Sequence, residues 1–229
     1  MSTEPMNSSL TTETSAIDYL TLARWAFILA AISFFIGGAI VIRTEVPPSL
    51  SPMLGMLSHA LWALAIVFLA LGAVVLLRST EMLRVGLAGY LAVGVLGLGV
   101  LQSLQWATWA YVDVRAARVV EHELVLETLI VPYGAGHLIG YGLLVGTGIA
   151  LLGWALRRTD LTHRYLPGSG VILGIVTVLF WIITLLFAMG GGDDGHVLFD
   201  IATIFIPVLY LWGLILGISI IRSEPSTED

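Results

Sequence analysis

Residues 54–77 read LGMLSHALWALAIVFLALGAVVLL, a run without Asp, Glu, Lys or Arg in which His59 is the one ionisable side chain. About 20 consecutive apolar residues carry a helix across a ~30 Å hydrocarbon core, so this run is long enough to span a bilayer. An ionisable residue at membrane depth is costly and marks a candidate functional position.

Five further stretches have the same character, at residues 20–42, 85–110, 130–156, 171–189 and 197–221. Together they predict an all-α polytopic membrane protein, a six-transmembrane-helix bundle over residues 17–222. Composition agrees, with 58% hydrophobic residues, 11% charged residues and a mean hydropathy of +0.96. A soluble domain runs at roughly 45–50% apolar and about 25% charged.

Turn chemistry marks the breaks between spans. Pro47, Pro48, Ser49 and Pro52 precede the second, Pro167-Gly168-Ser169-Gly170 precedes the fifth, and Gly190-Gly191-Gly192-Asp193-Asp194-Gly195 divides the last two. Residues 1–16, rich in Ser, Thr and Glu, read as a disordered cytoplasmic tail, and residues 223–229 read as a second. Neither has the basic n-region of a secretory signal.

The chain has no Cys, so disulfides, thiolate metal sites and cysteine nucleophiles are excluded. All ten basic residues are Arg, against sixteen acids, a halophile-like composition with a net charge of −6. That balance speaks against nucleic acid as a partner, which calls for a clustered basic patch. The partners expected are the lipid bilayer and either a membrane subunit or a second copy of the chain.

In a six-span layout Arg24, Arg78, Arg84, Arg157, Arg158, Arg164 and Arg222 fall on one side, and Arg43, Arg115 and Arg118 on the other. Loops left in the cytoplasm keep the positive charge. The expectation is a multi-pass protein of the cytoplasmic membrane with both termini in the cytoplasm.

Glycine is dense in the third span (Gly86, Gly89, Gly94, Gly97, Gly99) and in the fourth (Gly134, Gly136, Gly140, Gly142, Gly146, Gly148). Small residues four apart, such as Gly136/Gly140 and Gly142/Gly146, let helix backbones approach closely. This density predicts that the third and fourth spans are central. Segment 111–129, with Asp113, Arg115, Arg118, Glu121, His122, Glu123 and Glu127 among apolar residues, suits an extension of the third helix or a helix lying in the interface.

The second, fourth and sixth spans start at the same face, the outer one. His59 is about one turn inside the second, His137 about two turns inside the fourth and Asp200 about one turn inside the sixth, at 5.4 Å per turn. Gln102, Gln105, Trp106 and Trp109 share a face of the third span; Tyr133, His137 and Tyr141 stack along the fourth, and His196 and Asp200 along the sixth. The expectation is an outer-leaflet cluster in which His59, His137 and Gln105 point inward, with Asp200 close by.

Three chemistries fit such a cluster. His59, His137 and either Asp200 or His196 would give zinc three ligands and an open position, the arrangement of a membrane-embedded lipid hydrolase. His59 and His137 alone would give a b-type haem its two axial nitrogens, for electron transfer within one leaflet. A cluster without cofactor, including Gln102, Gln105, Tyr133, Tyr141 and Asp200, would bind a small solute or a lipid head group. Against all three stands interhelical hydrogen bonding with no ligand, each bond worth about 1 kcal/mol, as in an accessory membrane protein. Phosphate-binding glycine loops, a Gly-x-Ser-x-Gly elbow and paired intramembrane carboxylates are absent from the sequence. Whether the chain is an enzyme is left open by its residues.

Overall fold

The computed structural model describes residues 8–42, 51–79, 82–119, 123–189 and 195–220, with side chains over 19–40, 54, 56–79, 86–105, 140–187 and 201–220. These residues form six helices: α1 (Ser8–Ile42), α2 (Ser51–Ser79), α3 (Met82–Val119), α4 (Glu123–Leu156), α5 (Tyr165–Met189) and α6 (Gly195–Ser219). There is no strand among the described residues. Five helices carry windows long and apolar enough to cross a membrane, and Gly140–Leu156 of α4 is a shorter apolar helix of 17 residues. The architecture is an α-helical membrane bundle.

Each helix packs on the next in the chain, α6 closes the ring onto α1, and α4 also touches α6. Contacts fix the directions. Gly37 of α1 lies against Ser58 and Trp62 of α2 while Gly72 of α2 lies against Phe27 of α1, so these two run antiparallel. The same reading of Gly148 with Leu96 and Gly99 with Leu144 makes α3 antiparallel to α4, and Gly153 with Pro167 and Gly146 with Gly174 makes α4 antiparallel to α5. Accordingly α2, α4 and α6 all begin at one end of the bundle, here the histidine end; Arg78, Arg157, Arg158 and Arg164 lie at the other, the arginine end.

The first and fifth helices start earlier than the sequence expectation, and the third follows one of its two expected forms. The first helix starts at Ser8, so the second half of the expected tail 1–16 is helical; Ser is a preferred residue at a helix start, and the apolar span that follows extends the helix backward at low cost once it is nucleated. The fifth starts at Tyr165, which puts Pro167 inside the first turn instead of in a loop before the span. A first-turn proline loses nothing, because its missing N–H would be unbonded there anyway. Pro52 is tolerated one residue after the start of α2 for the same reason. Finally, α3 runs on to Val119, so residues 111–119 extend the third helix, one of the two forms expected for that segment.

The expectation that the third span is central does not hold. Gly89, Ala92, Leu96, Gly99 and Ser103 form the buried stripe of α3, whereas Leu87, Leu91, Gly94, Leu98, Leu101 and Gln105 form an exposed one. Positions Gly94 and Gly97 have no atom within 4 Å of where a Cβ would stand. Glycine permits close approach only where a helix packs, and these two lie on the face that does not.

The tightest packing is the α4–α5 seam. A Cβ on Gly153 would stand 2.6 Å from the Pro167 carbonyl oxygen and 2.9 Å from the Val171 nitrogen, and one on Gly174 would stand 2.6 Å from the Ala150 nitrogen. Here backbone touches backbone, and of the expected Gly142/Gly146 pair it is Gly146 that takes part, against Gly174 of α5. Trp181 fills the space over Gly142 and Trp212 that over Gly170, and the Trp212 indole donates to the Leu166 carbonyl at 3.1 Å.

The rest of the described core is mainly apolar. Phe27, Ile66, Leu69, Leu76, Leu96, Ile149, Leu152, Trp181, Leu209, Tyr210 and Leu216 are fully buried.

Candidate functional site

Two of the expected site residues, Tyr141 and His59, belong to one aromatic layer in the half of the bundle nearer the histidine end, joined through Tyr210, Phe34 and Trp62. Tyr141 of α4, 4% exposed, hydrogen-bonds through its hydroxyl to the Tyr210 hydroxyl of α6. Tyr210 stacks on Phe34 of α1, with ring centroids 4.3 Å apart and planes 11° apart. Phe34 stacks in turn on Trp62, whose indole donates to the Phe34 carbonyl at 3.3 Å, and His59 meets Trp62 edge-on at 5.6 Å. An aromatic layer thus joins α4, α6, α1 and α2. Ser58 ties the α1–α2 contact by donating to the Gly37 carbonyl at 2.8 Å.

Gly99 provides the register for the other members. A Cβ on it would meet Ile66 of α2 at 2.6 Å and Leu144 of α4 at 3.6 Å, so α3 is wedged between those two helices. His59 stands seven residues before Ile66, and His137 seven residues before Leu144. Seven residues make two turns on nearly the same helix face, about 10 Å along the axis. The two histidine positions therefore share a depth, one on each helix flanking α3.

Between those positions runs the buried stripe of α3. Ser103, one turn beyond Gly99 toward the histidine end, is 2% exposed, and its hydroxyl is buried with no hydrogen-bond partner among the described residues. Beside it, the Gln102 amide covers Gly140 of α4, filling the space a Cβ would need. Polarity and hydropathy patterns pass over Ser103; the signal that marks it is its place four residues after Gly99 on the packed face.

Other expected members fall elsewhere. Gln105, expected to face inward, is exposed, because it lies two residues from Ser103, about 200° around the helix. The side chains of Tyr133, His137, His196 and Asp200 lie outside the described residues. Their chain positions still set a depth: Asp200 is ten residues from Tyr210 and His137 four from Tyr141, about 15 Å and about 6 Å outward of the tyrosine pair at 1.5 Å per residue. The two do not share a depth, and His196 is farther out again. Trp106 and Trp109 also have side chains outside the described set.

Among the described residues no three of His, Asp and Glu stand close enough together to hold a metal ion. The polar groups the described residues offer are the Ser103 hydroxyl and Gln102 amide of α3 and, beside Trp62 on α2, the His59 imidazole. No family model matches the chain, and no curated protein or solved structure is detectably similar to it. What the fold and these residues define is a multi-pass α-helical membrane bundle with a polar wedge around α3.

Proposed function

We propose that this chain is a small-solute or lipid-head-group-binding protein of the cytoplasmic membrane, with both termini in the cytoplasm, the polar wedge in the outer leaflet, and an accessory role beside a partner subunit or a second copy. The observation that carries the reading is the Ser103 hydroxyl. A buried polar group without a partner costs roughly 1–3 kcal/mol. A ligand oxygen lodged against α3, within reach of Gln102 and His59, would remove that cost. The absence of fixed charge among the described residues of the wedge suits an uncharged, hydroxyl- or carbonyl-bearing group.

The test is to purify the full chain, identify retained small molecules by mass spectrometry, and repeat with Ser103→Ala and His59→Ala. The expected result is one species retained by the wild type and lost from both variants, while Ser103→Ala leaves the thermal transition unchanged or raised. A wild-type protein that retains nothing, or variants that retain the same species equally, would overturn the reading.

The alternative, in which His59 and His137 ligate a b-type haem or, with a further donor, zinc, is not favoured, because α3 runs between the two positions and no metal-holding group stands among the described residues. A Soret band, or about one zinc per chain by elemental analysis, lost in His137→Ala, would establish it. A colourless, metal-free protein leaves the solute-binding reading in place.

A further inference from the structure

At the arginine end the turn from α4 to α5 presents Arg157, Arg158, His163 and Arg164, all exposed, with Asp160 as its one acid. Its backbone is fixed by Arg157 N–H to the Gly153 carbonyl at 3.1 Å, Thr159 N–H to the Leu156 carbonyl at 3.0 Å and Leu166 N–H to the His163 carbonyl at 2.9 Å. A different element holds each guanidinium. Arg157 lies over the Trp154 ring of α4 at 5.7 Å, and Arg164 over the Tyr165 ring of α5 at 4.5 Å. Arg158 reaches α3, its Nη1 3.0 Å from where a Cβ would stand on Gly86.

Gly86 itself has φ 63° and ψ −171°, a break inside α3 that suits glycine and that leaves room for the Arg158 side chain. Beneath the turn the Thr162 hydroxyl is buried without a hydrogen-bond partner among the described residues. Trp154 and Tyr165 are 48% and 64% exposed, the placement of aromatic side chains that anchor a helix end at the head-group layer. Two of the three guanidiniums thus lie over exposed aromatic rings at a helix end.

We propose that this turn is a binding site for the phosphate of an anionic phospholipid. Charge complementarity carries the choice of occupant: the chain is acidic overall, with a net charge of −6, yet it gathers three oriented arginines against one acid here. Arg, with its planar fork of donors, matches a phosphate bidentately, as Lys does not. The exposed Trp154 and Tyr165 rings beside two of the arginines flank the acyl-chain side. This site is separate from the polar wedge and does not rest on it.

The test uses the detergent-purified full chain titrated in parallel with phosphatidylglycerol, phosphatidylcholine and inorganic phosphate, with binding read by native mass spectrometry. Phosphatidylglycerol should bind at least tenfold more tightly than phosphatidylcholine, and inorganic phosphate should not compete with it. Each Arg→Gln change in the turn should weaken that preference about fivefold, so R157Q/R158Q/R164Q should abolish it, whereas R78Q, at the same end on another helix, should keep it. Size-exclusion profile and thermal transition establish that each variant is folded. Equal affinity for the two lipids, an undiminished preference in the triple variant, an equal loss in R78Q, or displacement by inorganic phosphate would each overturn the proposal. Should H59A abolish the preference instead, the lipid belongs to the histidine end, and this proposal falls while the polar-wedge reading survives.

Discussion

Tyr141 and Tyr210 show what a pair of hydroxyls means inside an apolar bundle. Each ring is buried, Tyr210 stacked on Phe34 of α1, and each hydroxyl has the other as its hydrogen-bond partner. Removing one hydroxyl leaves its mate without a partner, whereas removing both leaves none. Tyr210→Phe and Tyr141→Phe should each lower stability by roughly 1 kcal/mol, the scale of an intramembrane hydrogen bond, and the double variant should lose less than the sum of the two. Thermal unfolding in detergent measures this; strictly additive losses would show that the hydroxyls do not depend on each other. Sequence spacing places Tyr141 in the cluster because it stands four residues from His137, but its partner is hidden, since Tyr210 is 69 residues away along the chain and no local pattern encodes which helices close the ring. Gln105 fails in the complementary way. Helical spacing puts it with Gln102 on one face, but the face that packs is set by Gly99 and Ser103, which a polarity count passes over.

At the scale of the helix, small residues carry opposite meanings on the two sides of α3 and along α4. Gly153 faces the Pro167 carbonyl and the Val171 nitrogen, both main-chain atoms with nowhere to move unless α5 moves. Gly153→Ala should therefore destabilise by about 1–3 kcal/mol, the range for overpacking. Gly97→Ala, which points into open space, should be neutral or stabilising by up to ~1 kcal/mol from helix propensity alone. A thermal-shift comparison of the two variants checks the contrast, and equal effects would mean that the α4–α5 seam is looser than its geometry. The four-residue glycine spacing of α4 is legible in the sequence; Gly146 meets the α5 backbone as that spacing implies, whereas Gly142 receives the Trp181 side chain instead. What spacing cannot supply is the partner, because glycines on α3 and α4 look alike until one knows which face of each helix is covered. The Pro167-Gly168-Ser169-Gly170 motif is ambiguous for a related reason: proline punctuates a helix from within its first turn as readily as from outside it.

For the molecule as a whole, hydropathy makes the bundle legible, because six apolar runs without polar satisfaction elsewhere leave the helix as the only conformation that bonds its own backbone in lipid. Relative depth is not legible, since it depends on how far each helix slides along its neighbours. Direction follows from the contacts, which set α6 antiparallel to α1, so α6 ends on the side where α1 begins. Orientation adds one further physical argument: by chain position, seven of the ten arginines lie at or beyond the arginine end, and positive loops are held in the cytoplasm. A reporter fused after Asp229 should therefore read cytoplasmic, and one inserted between Gly190 and Gly195 should read external. Both reporters on one side would contradict that arrangement. Opposite sides with the Gly190–Gly195 reporter cytoplasmic would keep the fold but invert the protein, moving the polar wedge to the inner leaflet and the arginine turn to the outer one. Charge reversal separates these outcomes further: replacing Arg157, Arg158 and Arg164 with Glu removes three of those seven positive charges and should produce a mixed population of the two orientations, whereas the Gln variants, which add no negative charge, should shift it less.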